Sequence, residues 1–353
     1  MTGSKGKPGR KPPLSYREAG VDIDRQDQAL QRIQQLVAST KTPGVASDLG
    51  TFGGLFRLGL AGCPEPVLVA SCDGVGTKLR LAFETGVHDT VGRDLVNHCV
   101  NDILVQGATP LFFMDYLATG RLDPLVAAAV VQGIARGCRE TGCALLGGEL
   151  AEMPGFYGEG EYDVAGFVLG LVDQSKLIDG SRVRPGDLLI GLPSAGLHTN
   201  GYSLARKIVF ESAGLTLGDF VEELGTTVSA ALLAEHRCYL GALRASIDLG
   251  IVHGLAHITG GGIVDNLPRA LPQGTAARVR RGSWPVPPLF DYLRRVGNVE
   301  AAEMDRTFNM GIGMIVVVAR EDLAELAIQL RAAGEEFHHI GEVTEGERKV
   351  VYG

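Results

Sequence analysis

The run Val67-Leu-Val-Ala-Ser-Cys-Asp73-Gly-Val-Gly-Thr77-Lys78 decides how this chain is organised. Its apolar half predicts a buried strand, and the strand ends in an acid, two glycines, a hydroxyl and a lysine. Glycine turns at strand ends commonly hold anions, because backbone N–H groups reach an oxygen with no Cβ in the way. Asp73 adds a metal ligand and Lys78 a counter-charge, which together favour a nucleotide phosphate site. The spacing is not that of a Walker motif, so a tight turn with a solvated lysine is the alternative.

Length and composition place the chain among compact globular proteins. Its 353 residues suffice for two ordinary domains, and 45% of them are hydrophobic while 21% are charged. The 33 Lys and Arg against 41 Asp and Glu give a net charge of −8. The overall surface is therefore not built to attract nucleic acid or anionic lipid, and we expect a local site to hold any phosphate ligand.

The cysteines and the N-terminus indicate a cytoplasmic protein. The six cysteines include no Cys-x-x-Cys pair, which favours reduced thiols over a zinc site or a disulfide framework. Residues 1–14 are basic and rich in Gly and Pro, and they lack the apolar core of a signal peptide. No apolar run approaches the roughly 20 residues that span a bilayer. We interpret residues 1–14 as a flexible tail.

Strand and helix patterns alternate in both halves of the chain, which predicts mixed α/β layers. A polar connector at 173–186 suggests a domain boundary, with one domain over 15–174 and another over 175–353. Predicted helices span 28–37, 89–106, 124–141, 201–213 and 322–333, a further helix begins near Ile263, and predicted strands span 111–117, 144–146, 162–173, 187–192, 308–318 and 337–343.

The predicted helix 89–106 carries a polar stripe. Its members share one face because they recur at intervals of three and four, and they are Asp94, Asn97, His98, Asn101 and Asp102. Such a face is usually solvated, but two carboxylates and two amides with little neutralising charge also suit a hard cation.

Two more glycine segments repeat the design of the Asp73 turn. Ala144-Leu-Leu-Gly147-Gly148-Glu149 is predicted to be a strand that breaks into glycines and an acid, and its tip can meet the Asp73 turn if the two strands are neighbours. Thr259-Gly260-Gly261-Gly262 precedes a predicted helix, where backbone donors and the helix dipole favour an anion.

Histidines supply further candidates. His198 lies in a loop rich in glycine, hydroxyl and amide groups that also contains Asn200, and such a loop can bind a sugar phosphate or simply cap the next helix. His253 and His257 are four residues apart, but the glutamate that a metalloprotease requires after the first histidine is absent, so a structural role is predicted for both.

Taken together, these stretches resemble the phosphoribosylformylglycinamidine cyclo-ligase family, also called aminoimidazole ribonucleotide synthetases. The resemblance runs in order from about Ser15 to the C-terminus. The matching runs are SYREAGVDID at 15–24, DGVGTKLRLA at 73–82, HDTVGRDLV at 88–96, VNDILVQGATPLFFMDYLATG at 100–120, AEMPGFY at 151–157, YDVAGFVLGLVD at 162–173, HTNGYSLARKI at 198–208, AHITGGGIVDNLPR at 256–269 and GNVEAAEMDRTFNMGIGM at 297–314.

The resemblance implies an α+β fold of two domains. The N-terminal domain would bind ATP and contribute to a β-barrel shared by two subunits of a homodimer, and the C-terminal domain would be an α/β sandwich.

The resemblance also implies roles for individual residues. Asp73, Asp94, Asp102 and Glu149 would handle Mg²⁺ and phosphates. The nucleotide site would further include Gly74, Gly76, Thr77, Asn101, Gly107, Ala108 and Gly148. Lys78, Asp102 and His198 would be catalytic, and His198, Asn200 and residues 259–262 would bind the substrate.

The activity implied is the ATP-dependent closure of formylglycinamidine ribonucleotide to aminoimidazole ribonucleotide, in purine biosynthesis. Two alternatives stay open: a related enzyme that phosphorylates another acceptor, and a non-catalytic paralogue that binds nucleotide. The second is favoured only by two departures from the family pattern, Gln34 in the early helix and Leu150 after Gly-Gly-Glu.

Overall fold

The structure, a computed structural model, describes residues 16–353. The predicted tail, residues 1–14, lies outside the described residues. Two large sheets organise the described chain: a four-stranded sheet in the first half and a six-stranded sheet in the second. Helices pack on both, so the predicted mixed α/β layers are confirmed.

The first half forms a four-stranded sheet in the order β1-β4-β2-β3, with β2 and β3 parallel and the other pairs antiparallel. Its elements are α1 (Ile23–Ala38), β1 (Pro66–Gly74), α2 (Leu79–Thr85), α3 (Asp89–Leu104), β2 (Thr109–Thr119), α4 (Pro124–Thr141), β3 (Ala144–Glu152) and β4 (Tyr162–Asp173).

The predicted helix 124–141 matches α4 at both ends. The Asp123 side chain accepts hydrogen bonds from the N–H groups of Leu125 and Val126, and Pro124 occupies the first turn, where its missing N–H costs nothing. Gly142 ends the helix in the left-handed conformation, with φ of 69°. Local sequence alone therefore determines this element.

Helices α3 and α4 approach each other backbone to backbone. A Cβ on Gly92 would lie 2.1 Å from the Val130 carbonyl oxygen, and a Cβ on Gly133 would lie 1.8 Å from the Asp89 carbonyl oxygen. No side chain fits at either glycine, so this contact fixes α3 against α4.

In the described part of the chain, helices cover one face of the four-stranded sheet. Helix α3 packs on β1, β4 and β2, helix α4 packs on β2 and β3, and helix α1 packs on β3. The opposite face leaves four large apolar side chains between 37% and 52% exposed. They are Leu68, Met114, Tyr116 and Phe167, and the surface that they form is called the open sheet face.

The second half forms a six-stranded sheet in the order β12-β9-β11-β5-β10-β8, antiparallel except for β12 beside β9. Its elements are β5 (Leu188–Pro193), α5 (Tyr202–Arg206), β6 (Phe220–Val221), β7 (Thr226–Thr227), α6 (Val228–Leu232), α7 (Leu240–Asp248), β8 (Val252–His257), α8 (Gly262–Asn266), β9 (Thr275–Val279), α9 (Pro288–Gly297), α10 (Ala301–Thr307), β10 (Ile312–Val318), α11 (Leu323–Ala332), β11 (His338–Glu345) and β12 (Val350–Tyr352).

Two predicted strand boundaries were wrong. The pair Gly147-Gly148 does not end a strand, because β3 continues through both glycines to Glu152 and stays paired with β2. The strand predicted from residue 308 begins at Ile312. The helix predicted to begin near Ile263 begins at Gly262, has five residues and passes into a 3₁₀ turn at Leu267–Ala270. Within residues 16–353, no helix combines the length and apolar character needed to cross a membrane.

Candidate functional site

A cleft of about 480 Å³ opens where the C-terminal part of α3 meets β8 of the second sheet. Both halves of the chain contribute to it. Its lining residues are Asp73, His98, Asp102, Val105, Gln106, Ile178, Asp179, Gly180, Leu255, Ala256, His257, Thr259, Asn266, Arg269 and Ala270.

Asp73 and Asp102 meet at His98 on one side of this cleft. His98 Nε2 lies 2.8 Å from Asp73 Oδ2 and 3.8 Å from Asp102 Oδ2. Burial opposes charging of His98, but the hydrogen bond to Asp73 and the charge of Asp102 outweigh it and raise the pKa of His98. The same contact with His98 lowers the pKa of Asp73 against the effect of burial. Two predicted carboxylates thus lie together and ionised.

A chain of hydrogen bonds leads from His98 back to Asp102 through the protein interior. His98 Nδ1 lies 2.7 Å from Thr199 Oγ1, which lies 3.3 Å from His236 Nδ1. His236 Nε2 contacts His257 Nε2 at 3.0 Å, and His257 Nδ1 contacts Asp102 Oδ1 at 2.8 Å. Burial lowers the pKa of both His236 and His257. The interior imidazoles are therefore held neutral while His98 favours the charged form.

The rest of the α3 polar stripe binds backbone of the second half. Asn97 Nδ2 donates to the His236 carbonyl at 2.7 Å. Asn101 donates to the Arg237 carbonyl at 2.7 Å and accepts from the Tyr239 N–H at 3.0 Å. Asn101 was predicted to contact nucleotide, but the structure places it in this buried seam.

Lys78 and Asp94 form a closed ion pair away from the cleft. Lys78 Nζ lies 2.6 Å from Asp94 Oδ2, and both side chains are fully buried. Lys78 also donates to the Ala234 carbonyl, and Asp94 accepts the His236 N–H. Burial raises the pKa of Asp94, and the Lys78 ammonium opposes that shift. Lys78, predicted to pair with phosphate, and Asp94, predicted to bind metal, therefore stabilise each other in the protein interior.

His198 is likewise buried, only 1% exposed. Its Nε2 accepts the Ala195 N–H at 3.1 Å, and its ring stacks on His236 with centroids 4.1 Å apart. Burial lowers its pKa well below the usual value. It does not line the cleft, and its φ of 60° shows that the turn holds it in a left-handed conformation.

The predicted glycine segments differ in where they lie. Gly74, Gly76 and Thr77 follow Asp73 directly, and Thr77 Oγ1 contacts Ser203 Oγ at 3.0 Å. Thr259 lines the cleft, and a Cβ on Gly260 would lie 3.2 Å from Asn200 Oδ1. Of these segments, Asp73 and Thr259 line the cleft, while Thr77 contacts Ser203 and Asn200 lies beside Gly260.

Gly107 and Ala108 directly follow Gln106, which lines the cleft. Both are buried, and neither lines the cleft. A Cβ on Gly107 would lie 3.1 Å from the Lys176 carbonyl oxygen, and the Ala108 carbonyl accepts a hydrogen bond from Arg244. Both residues pack α3 against the second half.

Gly148 and Glu149 lie at the opposite edge of the four-stranded sheet from Asp73. Register places Asp73, Gly166, Asp115 and Gly148 in one row across four strands, so three strand spacings, roughly 14 Å, separate Asp73 from Gly148. Glu149 pairs with Tyr116 and so projects to the open sheet face. The predicted meeting of Glu149 with Asp73 and Asp102 is not present within one chain.

Sequence reasoning missed three residues of this region. His257 was predicted to be structural like His253; His253 does bond Asp187 at 2.8 Å, but His257 lines the cleft. His236 and Arg269 were not considered. The cleft is formed by segments that are far apart in sequence. These residues can therefore be recognised only after the fold has brought the segments together.

Two protein-family models match the chain. Residues 60–172 match the family model "AIR synthase related protein, N-terminal domain", and residues 184–353 match "AIR synthase related protein, C-terminal domain". The chain belongs to the AIR synthase related family. The predicted family relationship is therefore confirmed.

A relative from Trichlorobacter lovleyi, named phosphoribosylformylglycinamidine cyclo-ligase, is 53% identical over 333 residues, covering 94% of this chain and 95% of the relative. The structure of thiamine-monophosphate kinase from Stenotrophomonas maltophilia superposes with a TM-score of 0.64 at 17% identity, covering 92% and 95% of the two chains. Hydrogenase maturation protein HypE in complex with ATP superposes with a TM-score of 0.61 at 19% identity, covering 92% and 90%. These two likenesses show that the chain shares its fold with both proteins.

Proposed function

We propose that this protein is an ATP-dependent cyclo-ligase that closes formylglycinamidine ribonucleotide to aminoimidazole ribonucleotide in purine biosynthesis, releasing ADP and phosphate. The observation that carries the proposal is 53% identity over 94% of the chain to a relative that bears this enzyme's name. The cleft agrees with it, because clustered carboxylates and imidazoles suit phosphoryl transfer followed by proton removal.

Asp73 and Asp102 are the residues proposed to hold Mg²⁺. Both carboxylates line the cleft, both are partly accessible, and both approach the same His98 nitrogen. Carboxylate oxygens are the ligands that Mg²⁺ prefers. When bound, Mg²⁺ would neutralise charge on the phosphates of ATP. Gly76 and Thr77, exposed just beyond Asp73, are proposed to extend this site, and bound ATP in HypE, which shares the fold, supports ATP as the nucleotide.

The proposed reaction has two steps. The formyl oxygen takes the γ-phosphoryl group as the bond to ADP breaks; then the ribose-bearing amidine nitrogen attacks the formyl carbon, and the C–O bond to phosphate breaks. The attacking nitrogen gives up a proton. His257 is proposed to take this proton: Asp102 holds its Nδ1 at 2.8 Å, and its Nε2 must first release the 3.0 Å contact with His236 Nε2.

Thr259 lines the cleft together with Asp73, and Asn200 lies against the neighbouring Gly260; Thr259 and Asn200 are therefore proposed to contact the substrate. Lys78, Asp94, Asn101 and His198 are proposed to act indirectly, by holding segment 234–239 and its histidine in place. The six cysteines are free thiols, which supports the proposed cytoplasmic location.

We also propose a homodimer joined through the open sheet face. Four large apolar side chains there lie in one patch on a regular sheet, and such patches mark association sites. Two copies of the sheet packed face to face would form the predicted shared barrel. Glu149 projects to this face, so the partner copy would bring its Glu149 close to the interface. Glu149 is far from the cleft carboxylates within one chain, but in this dimer it would lie close to the subunit interface.

Steady-state assays of the purified protein test the function. We expect ADP release that depends on formylglycinamidine ribonucleotide, with aminoimidazole ribonucleotide formed in equal amount. ADP release that needs a different acceptor would assign the protein to another activity of the family, and absence of turnover with every acceptor would refute catalysis.

Phe167→Asp tests the dimer. Phe167 is 46% exposed on the open sheet face, and a buried unpaired charge there would cost several kcal/mol of association energy. We expect analytical ultracentrifugation to show a dimer for the wild type and a monomer for the variant. Phe220→Asp, at a residue 63% exposed on the second half, is the matched control and should remain dimeric. A monomeric wild type would contradict the proposal.

A further inference from the structure

Charge is distributed unevenly around the cleft. Three carboxylates line it, from Asp73, Asp102 and Asp179. Arg269 is the one Lys or Arg among the lining residues that the structure describes. A substrate that carries a phosphate dianion must therefore place that group away from the acids and near Arg269, or meet strong repulsion.

The glycine turn at 259–262, predicted from sequence to bind the substrate through its phosphate or its reacting oxygen, is poorly suited to the phosphate. The Gly262 N–H already donates to the Thr259 carbonyl at 3.0 Å, and a Cβ on Gly262 would lie 1.9 Å from the Asp305 carbonyl oxygen. The Asp265 side chain lies against Gly261. The turn is packed at Gly262, and the nearby cation, Arg306, is already paired with Asp265 at 3.5 Å, so the unpaired positive charge that an anion needs must come from a different residue.

Arg269 offers that partner. Arg348 holds its backbone, donating from Nε to the Pro268 carbonyl at 2.7 Å and from Nη2 to the Arg269 carbonyl at 3.0 Å. Within residues 16–353, the Arg269 guanidinium itself makes no hydrogen bond or salt bridge. Asp179, which also lines the cleft, accepts a hydrogen bond from the Ser181 N–H at 2.9 Å and forms no ion pair with Arg269. The backbone of Arg269 is thus fixed while its charge is left available.

We propose that Arg269 binds the phosphate monoester of the ribonucleotide substrate. The inference rests on the proposed function and names a binding residue for it. A guanidinium can pair with two phosphate oxygens at once, which fixes orientation as well as adding affinity. With the phosphate at Arg269, the other end of the substrate extends toward Asp102 and His257, where the ring closes.

Arg269→Met tests the proposal by kinetics. We expect the KM for formylglycinamidine ribonucleotide to rise about 20- to 100-fold, a typical loss for a charged hydrogen-bonded pair, while the KM for ATP changes less than threefold. Arg269→Lys should recover part of the loss. Arg278→Met, at an exposed arginine of β9, is the matched control and should leave both constants within twofold.

Binding of ribose 5-phosphate, measured by calorimetry, gives a readout that does not need turnover. We expect the wild type to bind it and Arg269→Met to bind it at least 10-fold more weakly, with Tm unchanged. A substrate KM within twofold of wild type in Arg269→Met, or a rise confined to the KM for ATP, would overturn the proposal. A wild type that binds ribose 5-phosphate through Arg269 but never turns over would refute the proposed function and leave the phosphate site standing.

Discussion

Asp102→Asn is expected to lower kcat/KM for ring closure by about 10³-fold, equivalent to about 4 kcal/mol of transition-state stabilisation. Asp102 is proposed both to ligate Mg²⁺ and to orient His257, and the amide removes the negative charge that each role requires. The change is nearly isosteric, so folding should be preserved. Coupled measurement of ADP and aminoimidazole ribonucleotide, with Mg²⁺ varied, checks the prediction.

Asp248→Asn is a matched control for this variant. Asp248 lies on α7, and its side chain is 59% exposed, so the same chemical change there should alter kcat/KM by less than twofold. If Asp102→Asn retained activity within 10-fold of wild type, Asp102 would be neither a metal ligand nor the residue that orients the base.

Lys78→Met is expected to lower the free energy of unfolding by about 3–5 kcal/mol, because it leaves the Asp94 carboxylate buried without its partner. Replacing both partners, as Lys78→Met with Asp94→Leu, should recover about half of the loss. Urea denaturation followed by circular dichroism gives the comparison. Lys41→Met, at a side chain 47% exposed, should change stability by less than about 0.5 kcal/mol.

The result for Lys78→Met also decides between two roles. A variant that unfolds like the wild type yet loses activity would restore Lys78 as the partner of the transferring phosphoryl group. A destabilised variant whose folded fraction remains active would assign it to the buried seam.

Sequence alone predicted most of the fold. Helix α4 could be delimited to the residue because Asp123, Pro124 and Gly142 act within their own few residues. Strand β3 was cut short because glycine pairs usually end strands; here the space beside Gly148 is filled by Asp115, a packing partner more than thirty residues away. Local patterns do not contain such a contact.

The site was predicted only in part for the same reason. Helical spacing correctly placed the α3 polar stripe on one face, and His98 with Asp102 do reach the cleft. Spacing cannot say what that face meets, however, and Asp94 and Asn101 turn out to bind the backbone of segment 234–239. Arg269 and His257 become candidates only once two sheets enclose them in one cleft.

The contact of Gly92 with α4 and of Gly133 with α3 has a consequence for how this enzyme can vary. At these two glycines the backbones of α3 and α4 are in direct contact, so even a methyl group at either position must displace α3. Because α3 carries His98 and Asp102, a random screen for loss of function should recover substitutions at these glycines alongside those in the cleft, although neither glycine touches a ligand.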